Sequence, residues 1–301
     1  MGYNVSAISD YVKNSQDTLI KDVIFAPEFG DTISKLAKQL GVKTKERLNY
    51  LAVDPVIQSG EDCGFNAEGS VDFTEKDVEV APLKVQSEFC DRDLLGKYAE
   101  FLVKTASNKD MADMPFEREI MNEIIKGINI KLEKGVWQGT KAVDHFDGFI
   151  TLAKGADAAQ TVKVTFASGD TAYEKAKKMV LALPERILDD ATIFVSPANY
   201  RALVLELVEK NLYHFAPNAE IEDKDIVIPG TNVRVHKTMG LSGSNAWYAS
   251  SYKNMVYATD LMNDNETVKA WYDENTELFK YSIRWNTGVA TYFSDLVVLG
   301  E

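Results

Sequence analysis

"CGFNAEGSVDFTEKDVEVAPLKVQSEFC", Cys63 to Cys90, is strand-like at both ends and crowded with acids between them. Val71 and Phe73 alternate with polar residues, as do Val78 and Val80 and, past Pro82, Leu83 and Val85. Period-two alternation marks half-exposed strands, so the stretch reads as a long hairpin with its turn at Lys76 and Asp77. Roughly fifteen residues of strand reach about 50 Å, yet an isolated two-stranded hairpin is marginal in water. Between Gly60 and Ala81 the acids are Glu61, Asp62, Glu68, Asp72, Glu75, Asp77 and Glu79, against Lys76 alone. Such a finger is too polar to build a core of its own. It needs a surface to lie against, preferably a basic one.

The chain has 301 residues, 45% apolar and 26% charged, which is ordinary globular composition. No stretch approaches the roughly 18 uninterrupted apolar residues of a membrane span. The opening "MGYNVSAISDYVK" lacks a basic region followed by an apolar run, so it does not read as a secretory signal. Gly2 and Ser6 fit a myristoylation pattern, but no polybasic companion follows. Net charge is −13, which repels phosphate and disfavours tight nucleic-acid binding. Two cysteines exclude a disulfide framework and fit a reducing compartment. Cys63 and Cys90 nonetheless flank the finger. Two free thiols is the plainer reading, and a tie across its base is the alternative.

Working outward, residues 1 to about 30 look like an arm without sustained period. "DTISKLAKQLG" from Asp31 to Gly41 reads as a short helix with an Asp cap and a Gly stop. "DRDLLGKYAEFLVKT", from Asp91, is a second amphipathic helix. A third, from Pro115 to Lys134, sets Phe116, Ile120, Ile124, Ile128 and Leu132 in one narrow stripe, with Met121 and Ile125 beside it. Twenty residues span about 30 Å. From about Phe146 the texture is α/β. "FDGFITLA" and "VKVTFAS" read as short strands, and "DTAYEKAKKMVLAL" as a helix ending near Pro184. "ATIFVSP" is a buried strand whose Ser196 and Pro197 open a helix, and "IVIPGTNVRVHKT" is a strand pair around Pro229-Gly230. The last sixty residues are strand-rich and aromatic. The whole reads as a mixed α+β body.

Motifs for chemistry are missing: there is no GxxxxGK[ST], no GxGxxG after a strand and no HExxH. Asp144, His145 and Asp147 in "VDHFDG" read as a polar turn, with one side of a metal site as the alternative. "GLSGSN" lacks the spacing of a nucleophile elbow and reads as a flexible loop. Paired carboxylates for glycoside hydrolysis need a cleft, and those of the finger sit on a thin hairpin. Late aromatics, among them Trp247, Tyr248, Tyr252, Tyr257, Trp271, Tyr272, Tyr281, Trp285 and Tyr292, suit base stacking in principle. At this net charge, sheet packing and interface anchoring suit them better.

The order of these parts resembles the major capsid proteins of tailed bacteriophages, the Hong Kong 97-like (HK97-like) fold. The wording does too. "VWQGTKAVDHFDGFITLA" looks like that family's exit from the spine helix, and "ATIFVSPANYRAL" like its axial strand and capped helix. "IPGTNVRVHKTMGLSGSNAWYAS" with "NMVYATDL" looks like later axial strands, and "IRWNTGVATYFSDLVVL" like the closing strand and return. The resemblance covers most of the chain from about Pro55 and implies six segments. These are an arm and short helix over 1–54, an extended loop over 55–90 and a peripheral domain with the spine helix over 91–145. An axial domain follows over 146–260, then peripheral return strands over 261–292 and a C-terminal return strand over 293–301.

The implied role is structural, with no reaction, cofactor or metal: self-assembly as hexamers and pentamers into an icosahedral head around double-stranded DNA, without sequence-specific binding. The implied inter-subunit contacts lie on the extended loop at Phe65, Glu68, Asp72, Phe73, Glu75, Lys76, Asp77 and Glu79. Lys76 and Lys84 are candidates, by location only, for the lysine that some members crosslink to a neighbour. Portal and scaffolding proteins, and optionally a decoration protein, are implied partners. With only about 55 residues before the loop, a fused scaffold is not expected. The implied location is the virion, after assembly in the host cytoplasm. An encapsulin-type compartment shell is the alternative within this fold, and an acidic soluble hydrolase the alternative from another class.

Overall fold

The computed structural model describes residues 6–16, 18–19, 31–57, 68–90, 116–210, 212, 225–260 and 267–301. The stretch 91–115, with the helix expected there, therefore lies outside the described residues, as do Cys63 and Phe65. The first helix is α1 (Ser6–Asn14), and α2 (Asp31–Lys35) is a single turn longer than nothing: five residues. The expected helix from Asp31 to Gly41 stops there, because Ala37–Leu40 becomes strand β1 and pairs in parallel with β10 (Met255–Thr259). A sheet edge offers those four residues backbone partners that an isolated two-turn helix would lack. Gly41 still acts as a stop, but for a strand, at φ +84°.

Three sheets follow. The two-stranded ribbon joins β2 (Lys45–Pro55) to β3 (Gly69–Glu79), antiparallel, with Lys45 opposite Glu79 and Pro55 opposite Gly69. A five-stranded sheet is organised on β12 (Leu278–Thr291). This strand pairs with β4 (Ala81–Cys90), β11 (Thr267–Asp273) and β10, and β1 lies on β10. A six-stranded sheet has the order β5 (Val162–Val164), β13 (Val298–Gly300), β9 (Trp247–Ser251), β6 (Ala191–Val195), β8 (Arg234–Lys237), β7 (Ile226–Val227). β10 thus belongs to the five-stranded sheet although it falls inside 146–260, and the final residues return to the six-stranded one.

The long helix α3 (Phe116–Gln138) runs four residues past its expected end. Ile128 and Leu132 are buried and Ile120 and Ile124 half-buried, with Met121 and Ile125 beneath them; the Phe116 side chain lies outside the described set. The extra turn carries Val136 and Trp137 inward. Trp137 lies 4.8 Å from Phe194 of β6, 5.6 Å from Tyr248 of β9 and 5.5 Å from Phe149, ring centre to ring centre. This aromatic group ties the long helix to the six-stranded sheet.

Phe149–Lys154, expected as a strand, is helix α4. Four apolar residues among six do not distinguish the two by period. Close packing decides here: a Cβ on Gly148 would lie 2.6 Å from Gly135 O and 2.8 Å from Gly139 N. Only glycine lets the chain turn this tightly back over α3. Likewise "GLSGSN" is docked rather than loose. Gln138 Nε2 donates to Gly240 O and Ser242 O, and Thr238 Oγ1 donates to buried Glu133 Oε1 at 2.6 Å. Burial holds the Glu133 carboxyl above its ordinary range, favouring its neutral form.

Helices α5 (Ala172–Ala182) and α6 (Pro197–Glu209) form where expected. Thr171 and Glu174 make a reciprocal capping box on α5; Ser196 caps α6, with Pro197 in its first turn. The pair β7–β8 turns through Gly230 at φ +81°. The late aromatics divide as sheet packing requires: Trp247, Tyr248, Tyr257 and Trp285 are buried, while Trp271 is exposed. No helix among the described residues is long and apolar enough to cross a membrane.

Two glycine substitutions should have opposite effects on chemical unfolding. A Cβ on Gly288 of β12 would fall 2.0 Å from Glu79 O and 3.1 Å from Val80 Cα, backbone atoms that cannot step aside. Gly288→Ala should therefore destabilise by about 1–3 kcal/mol. Gly127 in α3 has open space around the same position, and Gly127→Ala should stabilise by about 0.5–1 kcal/mol.

Candidate assembly interface

The ribbon differs from the hairpin expected from sequence. Its turn is not at Lys76 and Asp77, which lie inside the continuous strand β3; the strands are joined through the 56–68 stretch. The outgoing strand is Lys45–Pro55, assigned from sequence to the arm. Residues 81–90 are not its return strand but β4, in register with β12 from Ala81 opposite Thr287 to Cys90 opposite Leu278. Cys90 accordingly does not face the far strand of the finger. The reason is that strand pairing is a non-local choice. The apolar alternation changes phase between Phe73 and Val78 and again between Val80 and Leu83, but only the available partners show that the second change is a passage from one sheet to another.

The break is well marked. Val80 N donates to Thr44 O at 2.9 Å, closing the ribbon, and from Ala81 onward the chain pairs with β12 instead. Val78 and Val80 are buried with Leu48, Val42, Val256, Ala258 and Ala290 in a small core beneath the root. Alternation then divides the root residues. Glu75, Asp77 and Glu79 face out, while Lys76, Val78 and Val80 turn toward the body.

Lys76, expected at a contact with a neighbour, is engaged within its own chain. Its Nζ lies 2.8 Å from Asp157 Oδ2, 2.8 Å from Thr291 Oγ1 and 2.7 Å from Ser294 Oγ. Thr291 Oγ1 also donates to Asp157 Oδ2 at 3.0 Å. Three donors of one ammonium thus find three acceptors, and a nearly buried carboxylate finds its cation. Removing one partner of such a group costs far more than the pair contributes over an apolar substitute. This rules Lys76 out as an exposed crosslinking lysine. Lys84 remains exposed on β4.

The acids of the root are not unopposed, as the stretch from Gly60 alone suggests. Lys45 Nζ is 2.8 Å from Asp77 and 3.6 Å from Glu79, and Arg47 Nη1 is 2.7 Å from Glu75. Lys141, in the turn after α3, reaches Glu79 at 3.0 Å. The missed signal was present in "KERLN": Lys45 and Arg47 share the two-residue spacing of Glu75, Asp77 and Glu79. Lys141's hydrogen bond, then its charge, with Lys45 behind, holds the Glu79 carboxyl below its ordinary range; Lys141 is raised in turn. Asp144 and Asp147 serve that same turn. Asp144 Oδ2 accepts from Thr140 N and Asp147 Oδ1 from Lys141 N, the roles of a polar turn.

Beyond the root, Asp72 and Phe73 sit opposite Ala52 and Leu51, and Glu68 is exposed. Among the described residues the ribbon is bonded to no third strand. Toward its far end Val56 is 50% and Ile57 97% exposed.

No protein-family model and no curated protein matches this sequence. Solved structures do. A chain of the satellite phage P4 procapsid aligns over 100% of this chain and 91% of its own, at 13% identity and a TM-score of 0.62. The capsid of the myovirus XM1 aligns over 88% of each chain at 12% identity and TM-score 0.55. A virus-like particle from Pyrococcus furiosus aligns over 97% of this chain and 100% of its own, at 11% identity and TM-score 0.54. The fold is therefore the HK97-like one of phage capsid shells, an α+β architecture.

Two outcomes follow for the root. Lys76→Met should strand Asp157 and lower stability by roughly 1.5–3 kcal/mol in denaturant unfolding, with Lys76→Arg retaining part of it. The Glu79–Lys141 pair should respond to pH with two limbs. Depressed Glu79 contributes above about pH 4.3 and loses its contribution as pH falls through its folded value; raised Lys141 contributes below about pH 10.4 and loses it as pH rises through its own. Hydrogen exchange of β3 amides, corrected for intrinsic rates, should show the acid limb, and Lys141→Gln should flatten it.

Proposed function

We propose that this chain is the shell-forming major capsid protein of a tailed DNA phage. The observation that carries the reading is a two-stranded ribbon rooted in the body by Lys76 and, among the described residues, without a third strand, on a fold shared with capsid shells. A lone ribbon is marginal in water, so the contact that completes it comes from a copy of the same chain. The role is structural rather than catalytic. The subunits would associate as hexamers and pentamers in a closed shell, where each weak contact is repeated and every subunit is held by several neighbours. The negative surface suits a container that neither binds nor traps the DNA inside it. Portal and scaffolding proteins, an optional decoration protein, and assembly in the host cytoplasm complete the reading.

On this reading the six-stranded sheet with α4, α5 and α6 is the axial domain. The five-stranded sheet with α3 is the peripheral domain, and 45–79 is the extended loop rather than 55–90. A compartment shell enclosing protein is the second reading, since a virus-like particle from Pyrococcus furiosus shares this fold over its full length and a shared fold does not say what a shell encloses.

Negative-stain microscopy of the expressed chain should show shells, rings of five or six, or tubes. A monodisperse monomer under all assembly conditions would count against both readings. Nuclease-protected DNA inside native particles selects the phage capsid, and a protein cargo selects the compartment. A deletion that reached Lys76 or Val78 would remove the root of the ribbon itself. Replacing residues 51–73 with Asn-Gly joins Tyr50 and Thr74, a facing pair at a hydrogen-bonded position of the ladder, by a two-residue turn. That variant should melt as a folded subunit and form no shells.

A further inference from the structure

One face of the five-stranded sheet carries charge of the opposite sign to the chain as a whole. Val85, Ile283 and Val268 form a row across β4, β12 and β11 and turn toward the core shared with α3. The adjacent position on each strand therefore points the other way, toward solvent. There Lys84 sits directly opposite Arg284, and Lys269, opposite Ser282, is the diagonal neighbour of Arg284. All three cations are exposed, and none forms an ion pair among the described residues.

Like charges directly opposite one another weaken a ladder. The facing Cβ atoms are about 5 Å apart and the diagonal ones about 7–8 Å, within the Debye length of about 8 Å at physiological salt. The three cations thus repel one another, and an anion laid over them turns that repulsion into attraction. The acids of this face gather at its other end. Asp273 binds Lys280 at 2.7 Å, and Glu88 lies opposite Lys280. Asp260 is fully buried and accepts from Asn286 Nδ2 at 3.4 Å. Asp264 and Glu266 precede β11 in sequence and lie outside the described residues. Lys84, Lys269, Lys280 and Arg284 against Glu88 and Asp273 leave two positive charges in excess here, on a chain of net charge −13.

Charge density selects the ligand. An acidic strand presents one carboxylate per two residues on a face, about 7 Å apart. Duplex DNA carries one charge per about 1.7 Å of its axis, about four over that same length. Three cations crowded into one such span match the denser polyanion. Trp271, opposite Lys280 and 42% exposed, stands on the same face, whereas Trp137, Trp247 and Trp285 are buried.

We propose that Lys84, Lys269 and Arg284 form a contact surface for the phosphate backbone of duplex DNA. With three phosphates neutralised and net charge opposing it, the contact is weak, non-specific and lost at modest salt, which leaves DNA free to be packed and released. The proposal goes beyond the shell reading and does not rest on it. In a phage shell it makes this the face turned toward the genome.

The test titrates dissociated subunits of the full chain into a labelled duplex of mixed sequence and reads its anisotropy. The expected result is saturable binding at 50 mM salt that weakens about fortyfold by 200 mM, the slope for three phosphate contacts. Lys84→Gln, Lys269→Gln and Arg284→Gln combined should weaken binding at 50 mM salt by tenfold or more. That variant should melt at or above the parent's temperature, because the opposed like charges are gone. Trp271, beside the contact, should change its fluorescence as the duplex binds. Absence of binding at 50 mM salt overturns the proposal, as does equal binding by the triple variant. A duplex that binds with no change in Trp271 emission occupies another surface and also overturns it. Tighter binding of polyglutamate than of DNA would assign the face to an acidic protein instead. Each of these failures leaves the shell reading standing, because shell formation is scored separately by microscopy.

Discussion

A two-stranded ribbon is held at one angle only if its root is fixed, and here one ammonium group joins the root to two other segments of the body. Lys76 points inward from β3 and joins Asp157, which follows α4, to Thr291 and Ser294 at the end of β12. Three segments far apart in sequence therefore meet at a single nitrogen. The small core beneath the root supplies burial, but burial is non-directional. The hydrogen bonds of a charged donor supply direction. Gly288 completes the constraint by letting β12 pass against the backbone of Glu79 and Val80.

A second junction performs the same service for the body. Trp137, one turn beyond the expected end of α3, packs on Phe149, Phe194 and Tyr248, so the long helix and the six-stranded sheet share one aromatic group. The glycines at 135, 139, 148 and 240 are the counterpart of that packing, since each removes a Cβ where backbone or ring must approach closely. Helix, sheet and ribbon root are thereby coupled.

Charge plays two parts on the ribbon. At the root, Lys45, Arg47 and Lys141 oppose Glu75, Asp77 and Glu79 in a ladder of exposed pairs. Individually such pairs contribute little; as a ladder they keep the two strands in register. Farther out, between Val56 and Glu68, the acids have no basic residue among them in sequence. The neutralised stretch is the one attached to the body.

The sequence by itself determined the features that depend on near neighbours. The stripe from Ile120 to Leu132 made a half-buried helix, the Thr171 and Ser196 caps opened α5 and α6, and the acidic alternation made an extended element with too little apolar surface for a core. Each of these rests on a period or a cap that a few consecutive residues satisfy. Tertiary structure alone decided the pairings. Residues 37–40 became a strand because β10 was there to receive them, and 149–154 a helix because Gly148 could press against α3. The acidic run divided at Val80 between two sheets. Those choices depend on partners as much as 219 residues away, as Val256 is from Ala37, and pairing across such distances is not set by any local period.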